Sequence, residues 1–199
     1  MPSSVGHALA GVAAAWSVDL IPGDRGWRTA PPPASWFRRA GGGLTAACAF
    51  LAAAPDLDLL FGSHRTVSHS IGAVIIVTIV AAVVTSQVTA RPVIRVAAMC
   101  GLAYATHVLL DWLGVDRLPP LGIQALWPFS HGWYTSGWEW FPPTERRGFW
   151  TAAVLIANAM TVLQECVRLV PVLVVLWLVR VKALAGLPAE VAGRHHAAK

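Results

Sequence analysis

An all-α, polytopic membrane helical bundle of about five segments, with a Trp-rich extracytoplasmic loop, is the fold class this 199-residue chain predicts. Three observations carry the expectation. Apolar residues make up 56% and charged residues 13%, with mean hydropathy +0.58; a soluble domain carries about twice that charge. The apolar residues gather into runs of bilayer-crossing length, the clearest being the 19 residues Ser70 to Val88. Every Lys and Arg except Arg168 lies in a break between runs or at a run's end. This composition excludes a disordered chain, a coiled coil and a nucleic-acid-binding module, so no nucleic-acid partner is expected. The net charge of +5 instead suits loops facing an anionic lipid leaflet.

The runs follow in order. Val5 to Ile21 is rich in small residues and ends at Pro22-Gly23-Asp24. A polar loop follows, with Arg25, Arg28, three prolines (Pro31 to Pro33), Arg38 and Arg39. Gly41 to Phe61 is the second run, interrupted by Pro55, Asp56 and Asp58; Gly62 to Ser68 links it to the third, Ser70 to Val88. Arg91-Pro92 makes a turn into Val93 to Leu113. Gly114 to Gly148 is a long loop. Phe149 to Val181 is apolar except for Gln164, Glu165 and Arg168, and its 33 residues would span about 50 Å as one helix. It reads either as one long helix kinked at Pro171 or as two short ones, with Glu165 and Arg168 spaced to pair on one face. Residues 1–182 are expected to form a single membrane-embedded domain and 183–199 a polar tail. No cleavable signal peptide is expected, because the first run lacks a basic leader. Cys48, Cys100 and Cys166 stand far apart in apolar runs and read as buried free thiols.

Charge asymmetry orients the chain. With one final helix, the loop after the first run, the Arg91 turn and the tail hold ten Lys and Arg, against four on the other side (Arg65, Arg117, Arg146, Arg147). With two final helices the count becomes six against eight. The first layout places the N-terminus outside and the C-terminus in the cytoplasm.

Ionisable groups inside apolar runs are costly, and each one points to a functional site. On this layout His7, Asp56, Asp58, His64, His69, His107 and Asp111 converge at the outer membrane level, although they come from four stretches. Asp19, at the inner end, reads as interfacial. His107 and Asp111 are four apart, so one helix face presents an imidazole and a carboxylate together. Imidazoles and carboxylates without thiolates suit a divalent metal: zinc, or else manganese or iron, as one or two ions. The metal ligands expected are His7, Asp56, His64, His69, His107 and Asp111. Pro55 breaks the helix ladder beside Asp56 and frees backbone to aim carboxylates inward.

Each residue also has a plainer reading. His7 could be a hydrogen-bonded core histidine, and Asp56 and Asp58 could cap the helix before Gly62. His131 reads as a surface or outlying group, and His195 and His196 as solvated tail. The six tryptophans from Trp112 to Trp150 read as a headgroup-level aromatic belt, or as a lid over a lipid or polyprenyl chain.

These motifs also resemble a known family. The N-terminal Met1-Pro2-Ser3-Ser4-Val5-Gly6-His7-Ala8-Leu9-Ala10-Gly11, the step Pro55-Asp56-Leu57-Asp58, and His64-Arg65-Thr66-Val67-Ser68-His69-Ser70 carry the likeness. So do His107-Val108-Leu109-Leu110-Asp111-Trp112 and Leu126-Trp127-Pro128-Phe129-Ser130. In this order and spacing they resemble the YdjM/DUF457 family of bacterial inner-membrane proteins, described as metal-dependent hydrolases. The resemblance covers about residues 1–135 and weakens after Ser130. A remoter likeness, by analogy of helix-borne ligands, is to zinc-dependent phospholipase C. The family implies hydrolysis without naming a substrate.

The residues permit a metal-activated water that attacks a phosphorus or acyl centre. Asp58 is the candidate general base or orienting carboxylate, and Arg65 the candidate phosphate ligand or a headgroup-facing charge. The partners expected are membrane lipid and a lipid-like or phosphorylated substrate. The competing class is a non-catalytic metal-binding membrane protein, structural or transporting; an acyl or amide hydrolase is a third option.

Overall fold

The computed structural model describes residues 1–21, 40–62, 64–89 and 91–185. The arginine- and proline-rich loop after the first run, and the tail with His195 and His196, lie outside the described residues. Within them the chain is helical and forms no extended strand, only the isolated bridges Gly114–Phe141 and Ile123–Tyr134.

The first run becomes α1, Ser4–Leu20. Ser3 caps it, its hydroxyl oxygen accepting from the Gly6 amide at 3.1 Å. The second run splits as Pro55 requires. An α-helix, α2, runs over Gly42–Ala53 and then tightens to a 3-10 helix over Ala54–Phe61. Proline has no amide hydrogen, and its ring crowds the carbonyl four residues back, so the α ladder cannot continue. Gly62 ends the turn at φ 72°, a left-handed conformation that glycine adopts without a steric penalty. After a short 3-10 turn at Val67–His69, α3 spans Ile71–Val88, its N-terminus capped by Ser70. Helix α4 spans Val93–Leu113 and α5 spans Ala152–Ala185. Helix α5 is one continuous helix with Pro171 inside it, which decides between the two readings of the last run.

Four segments are long and apolar enough to cross a bilayer: Gly42–Leu60, Ile71–Val88, Val93–Leu113 and Ala152–Lys182. The 17-residue α1 is shorter, and its place in the bundle explains its composition. It packs against α2, α4 and α5, and its small residues let those helices approach. Ala15 and Val18 of α1 join Leu44, Cys48, Val96, Met99, Cys100 and Ala103 in one core cluster. The outside of the bundle is apolar: Ile75, Ile76, Ile79, Val80, Val83 and Val84 of α3 are all exposed, as a lipid-facing helix requires.

Helices α1 and α2 approach tightly at Gly11. A Cβ there would lie 2.5 Å from the Ala52 Cβ and 2.7 Å from the Cys48 carbonyl oxygen. Gly11→Ala is therefore expected to cost about 1–3 kcal/mol by overpacking. It should lower the thermal unfolding midpoint in detergent micelles. Gly43→Ala, with nothing within 4 Å of its added Cβ, should not.

Three expectations are corrected here. Glu165 does not pair with Arg168. Its buried carboxylate accepts from the Ser3 amide at 2.7 Å and from the Ser3 hydroxyl, so α5 anchors the start of α1. Arg168 donates instead to the Gln164 carbonyl one turn back. Asp19 is not an interfacial group: it is buried in an ion pair with Arg180 at 2.8 Å. Cys48 and Cys100 are buried thiols, whereas Cys166 is only half-buried.

Candidate metal centre

The start of α1, the 3-10 continuation of α2, the Val67–His69 turn and the last turns of α4 meet at one end of the bundle. Each delivers polar groups there for a local reason. His7 sits one turn into α1. His107 and Asp111 share a face of α4, with Nε2 and Oδ2 3.1 Å apart. The tightened helix after Pro55 carries Asp56 and Asp58. The short turn before Ser70 places His69, fully buried, against them.

Asp111 is the hub. Its Oδ1 lies 3.4 Å from His7 Nε2, and its Oδ2 lies 3.3 Å from His69 Nε2 and 3.1 Å from His107 Nε2. The imidazoles crowd each other. His7 and His107 stack with ring centroids 3.8 Å apart, and His69 meets His107 edge-on at 4.7 Å and His64 at 4.9 Å.

The hydrogen bonds on the far sides of the rings fix the chemistry. His107 Nδ1 lies 2.8 Å from the Ala52 carbonyl oxygen. A carbonyl only accepts, so Nδ1 carries the hydrogen and the neutral ring's Nε2 holds a lone pair. His64 Nδ1 lies 2.7 Å from Asp58 Oδ1, which likewise makes Nδ1 the donor. His69 Nδ1 faces Asp58 Oδ2 at 3.2 Å and Ser68 Oγ at 3.0 Å. The Ser68 hydroxyl already donates to Asp58 Oδ2 at 2.6 Å, so His69 Nδ1 must donate as well. Three rings therefore turn an Nε2 lone pair toward the cluster. These Nε2 atoms, Asp56 Oδ1, both Asp111 oxygens and both ring nitrogens of His7 are buried without a hydrogen-bond partner.

Such a set of acceptors repels itself unless positive charge lies among them. Protonating several rings stacked this closely would put like charges in contact. Divalent cations held among them would satisfy these lone pairs, so the donor set fits such an ion. Three groups have donor atoms within 4.8 Å of one another: His7, Asp56 and His107; Asp56, His64 and His69; and His69, His107 and Asp111. Asp56, His69 and His107 each belong to two of these groups, so the three form one connected cluster.

The two carboxylates of the Pro55 step occupy different positions. Asp56 turns an oxygen to the Nε2 side of the rings, and Asp58 holds their Nδ1 side. Arg65 is elsewhere engaged. It ion-pairs with Asp116, donates to the Leu118 carbonyl at 3.2 Å, and lies 5.7 Å over the Trp133 ring. Its backbone is left-handed at φ 70°. His131 meets the cluster nowhere among the described residues; its carbonyl accepts from Gln124.

Several participants carried no sequence signal of their own: the Ala52 carbonyl, Ser68, the Ser3–Glu165 anchor, Asp116 and Arg146. Arg146 Nη2 comes within 3.8 Å of Asp56 Oδ1. Both residues line an open cavity of ≈ 580 Å³ between the 3-10 segment, the N-terminus and the start of α5.

Fold and cluster together define a polytopic membrane protein with a candidate metal centre at one end of its helices. The chain belongs to the YdjM inner membrane protein family, whose model matches residues 1–187. The match continues past Ser130, where the quoted motifs end, through the Trp-rich loop and into α5. No curated protein and no solved structure matches the chain.

Proposed function

We propose that the cluster binds one or two divalent ions, zinc foremost, and that the protein is a membrane-bound hydrolase of a phosphoester in a lipid-like or membrane-proximal substrate. The observation that carries this reading is the convergence of three Nδ1-anchored histidines on buried carboxylate oxygens that have no other partner. An ion bound there would supply Lewis acidity and a water acidic enough to ionise near neutral pH. The protein's own residues do the rest. Ala52 and Asp58 hold His107, His64 and His69 in the tautomer that presents Nε2. Asp111 and Asp56 supply the negative charge, and the helix ends exclude bulk water from the buried side.

The cavity beside Asp56 favours catalysis over a purely structural site, because a structural ion is closed off and a catalytic one keeps an accessible position. Phosphoester hydrolysis is preferred to acyl or amide hydrolysis because a guanidinium, that of Arg146, stands at the carboxylate. The test is an activity screen on phospholipid, polyprenyl phosphate and amide substrates, with and without chelator. Chelator-sensitive phosphoester turnover is expected. Amide turnover alone would reassign the reaction.

The charge asymmetry supports an extracytoplasmic N-terminus and metal site and a cytoplasmic C-terminus. A fluorescent reporter that matures only in the cytoplasm, fused after Lys199, should be bright. A stable dark fusion, with a periplasmic reporter active at the same place, would reverse the orientation.

A further inference from the structure

We infer that the cavity beside Asp56 is a lateral entry site for a single-chain membrane phosphoester, with Arg146 receiving the phosphoryl group and the apolar wall receiving the chain; this rests on the hydrolase reading and names its substrate class. The cavity is lined by groups of two different chemistries. The charged part is Asp56, at the edge of the candidate metal centre, with the Arg146 guanidinium beside it. The apolar part comes from Phe50, Leu57 and Leu59 of the Gly42–Leu60 span, Phe149, and Val162 of the Ala152–Lys182 span. Phe50, Leu57, Leu59 and Phe149 are exposed on these membrane-crossing segments and beside them, so a membrane amphiphile can reach the cavity without leaving the bilayer.

Arg146 is suited to the phosphoryl end in a way Arg65 is not. Arg65 is matched by Asp116 and a carbonyl. Arg146 makes no hydrogen bond through its guanidinium among the described residues; its 3.8 Å approach to Asp56 is beyond hydrogen-bond range, and its side chain is 40% exposed. Its backbone is nevertheless held, because the adjacent Glu145 exchanges two bonds with the Asn158 side chain on α5, at 2.8 and 2.9 Å. A fixed backbone with guanidinium donors that make no hydrogen bond, next to the Asp56 carboxylate, is a fork preorganised for a phosphoryl group. Glu145 also lines the mouth and disfavours a second anionic group, which favours one phosphoryl group on one chain.

The probe is a long-chain alkyl phosphonate carrying a chain-terminal diazirine, whose P–C bond resists hydrolysis. The full-length protein in phosphatidylcholine vesicles is photolabelled and the adducts are mapped by mass spectrometry. Adducts should concentrate on Phe50, Leu57, Leu59, Phe149 and Val162. Unlabelled alkyl phosphonate should compete, whereas inorganic phosphate and an alkyl glucoside at equal concentration should not. Arg146→Ala should cut labelling about tenfold, the loss of one charge-assisted contact. Arg146→Lys should keep most of it, and Arg147→Ala all of it.

Adducts spread evenly along exposed α3, or a yield indifferent to Arg146→Ala in folded protein, would overturn the inference, as would equal competition by inorganic phosphate. The two readings fail separately. Chelator-sensitive turnover of a water-soluble phosphoester without groove labelling would leave the hydrolase and remove this site. Groove labelling with no phosphoester turnover would do the reverse.

Discussion

Asp111→Ala should strip purified protein of most of its bound metal, with a loss of affinity exceeding the ~10–100-fold typical of residues that only orient a ligand. Asp111 is fully enclosed and its two oxygens face three imidazole nitrogens, from three different elements of the fold. Removing it takes away the carboxylate that offsets the charge of an ion and leaves His7, His69 and His107 facing a void. His107→Ala should behave alike, since it shares that helix face and its Nδ1 bond to Ala52 ties α4 to α2. His131→Ala, remote from the cluster, is the control and should keep full stoichiometry by elemental analysis. Should Asp111→Ala and His107→Ala both retain it, α4 is not a ligand-bearing helix.

Asp58→Asn produces a different and more instructive result. The substitution conserves shape, and from sequence alone it removes only a basic carboxylate. The geometry shows what else it does. Asp58 receives hydrogens from His64, from Ser68 and on the His69 side. An amide has one oxygen to accept with, and its NH2 group must face one of the two imidazoles. That imidazole then has to accept at Nδ1 and carry its hydrogen on Nε2, which disables Nε2 as a ligand. The expected outcome is a ~10–100-fold loss of metal affinity. Turnover of protein reloaded at high metal should still fall by roughly 10²–10⁴ if Asp58 also moves a proton. Asp56→Asn should weaken metal more than Asp58→Asn. The opposite order would exchange the roles of the two aspartates.

What the sequence made legible was whatever has a period or a break. Apolar runs placed the helices, Pro55 and Gly62 marked where the second helix tightens and ends, and the four-residue spacing put His107 and Asp111 on one face. His7, Asp56, His64, His69 and the α4 pair could be gathered to one level because each sits at a segment end on the same side. Contacts between distant residues left no such trace. Glu165 meets Ser3 across 162 positions, and Asp19 meets Arg180 across 161. Local spacing therefore suggested the wrong partner for the first and none for the second. Arg65 lay beside His64 in sequence but points its charge at Asp116, while Arg146, read only as loop charge, reaches Asp56. A basic residue's target is set by where its loop folds back, and the loop from Gly114 onward has no periodicity from which to read that.

Imidazole nitrogens and carboxylate oxygens, and no thiolate, are proposed to hold a divalent ion at this end of the helices. X-ray absorption at the zinc edge of the purified, zinc-reconstituted protein tests it most directly. Stoichiometric zinc is expected, with only nitrogen and oxygen neighbours at about 2.0–2.2 Å and an imidazole scattering pattern that is lost in Asp111→Ala. A sulfur neighbour near 2.3 Å, or zinc that stays fully hydrated and washes out of folded protein, would contradict it.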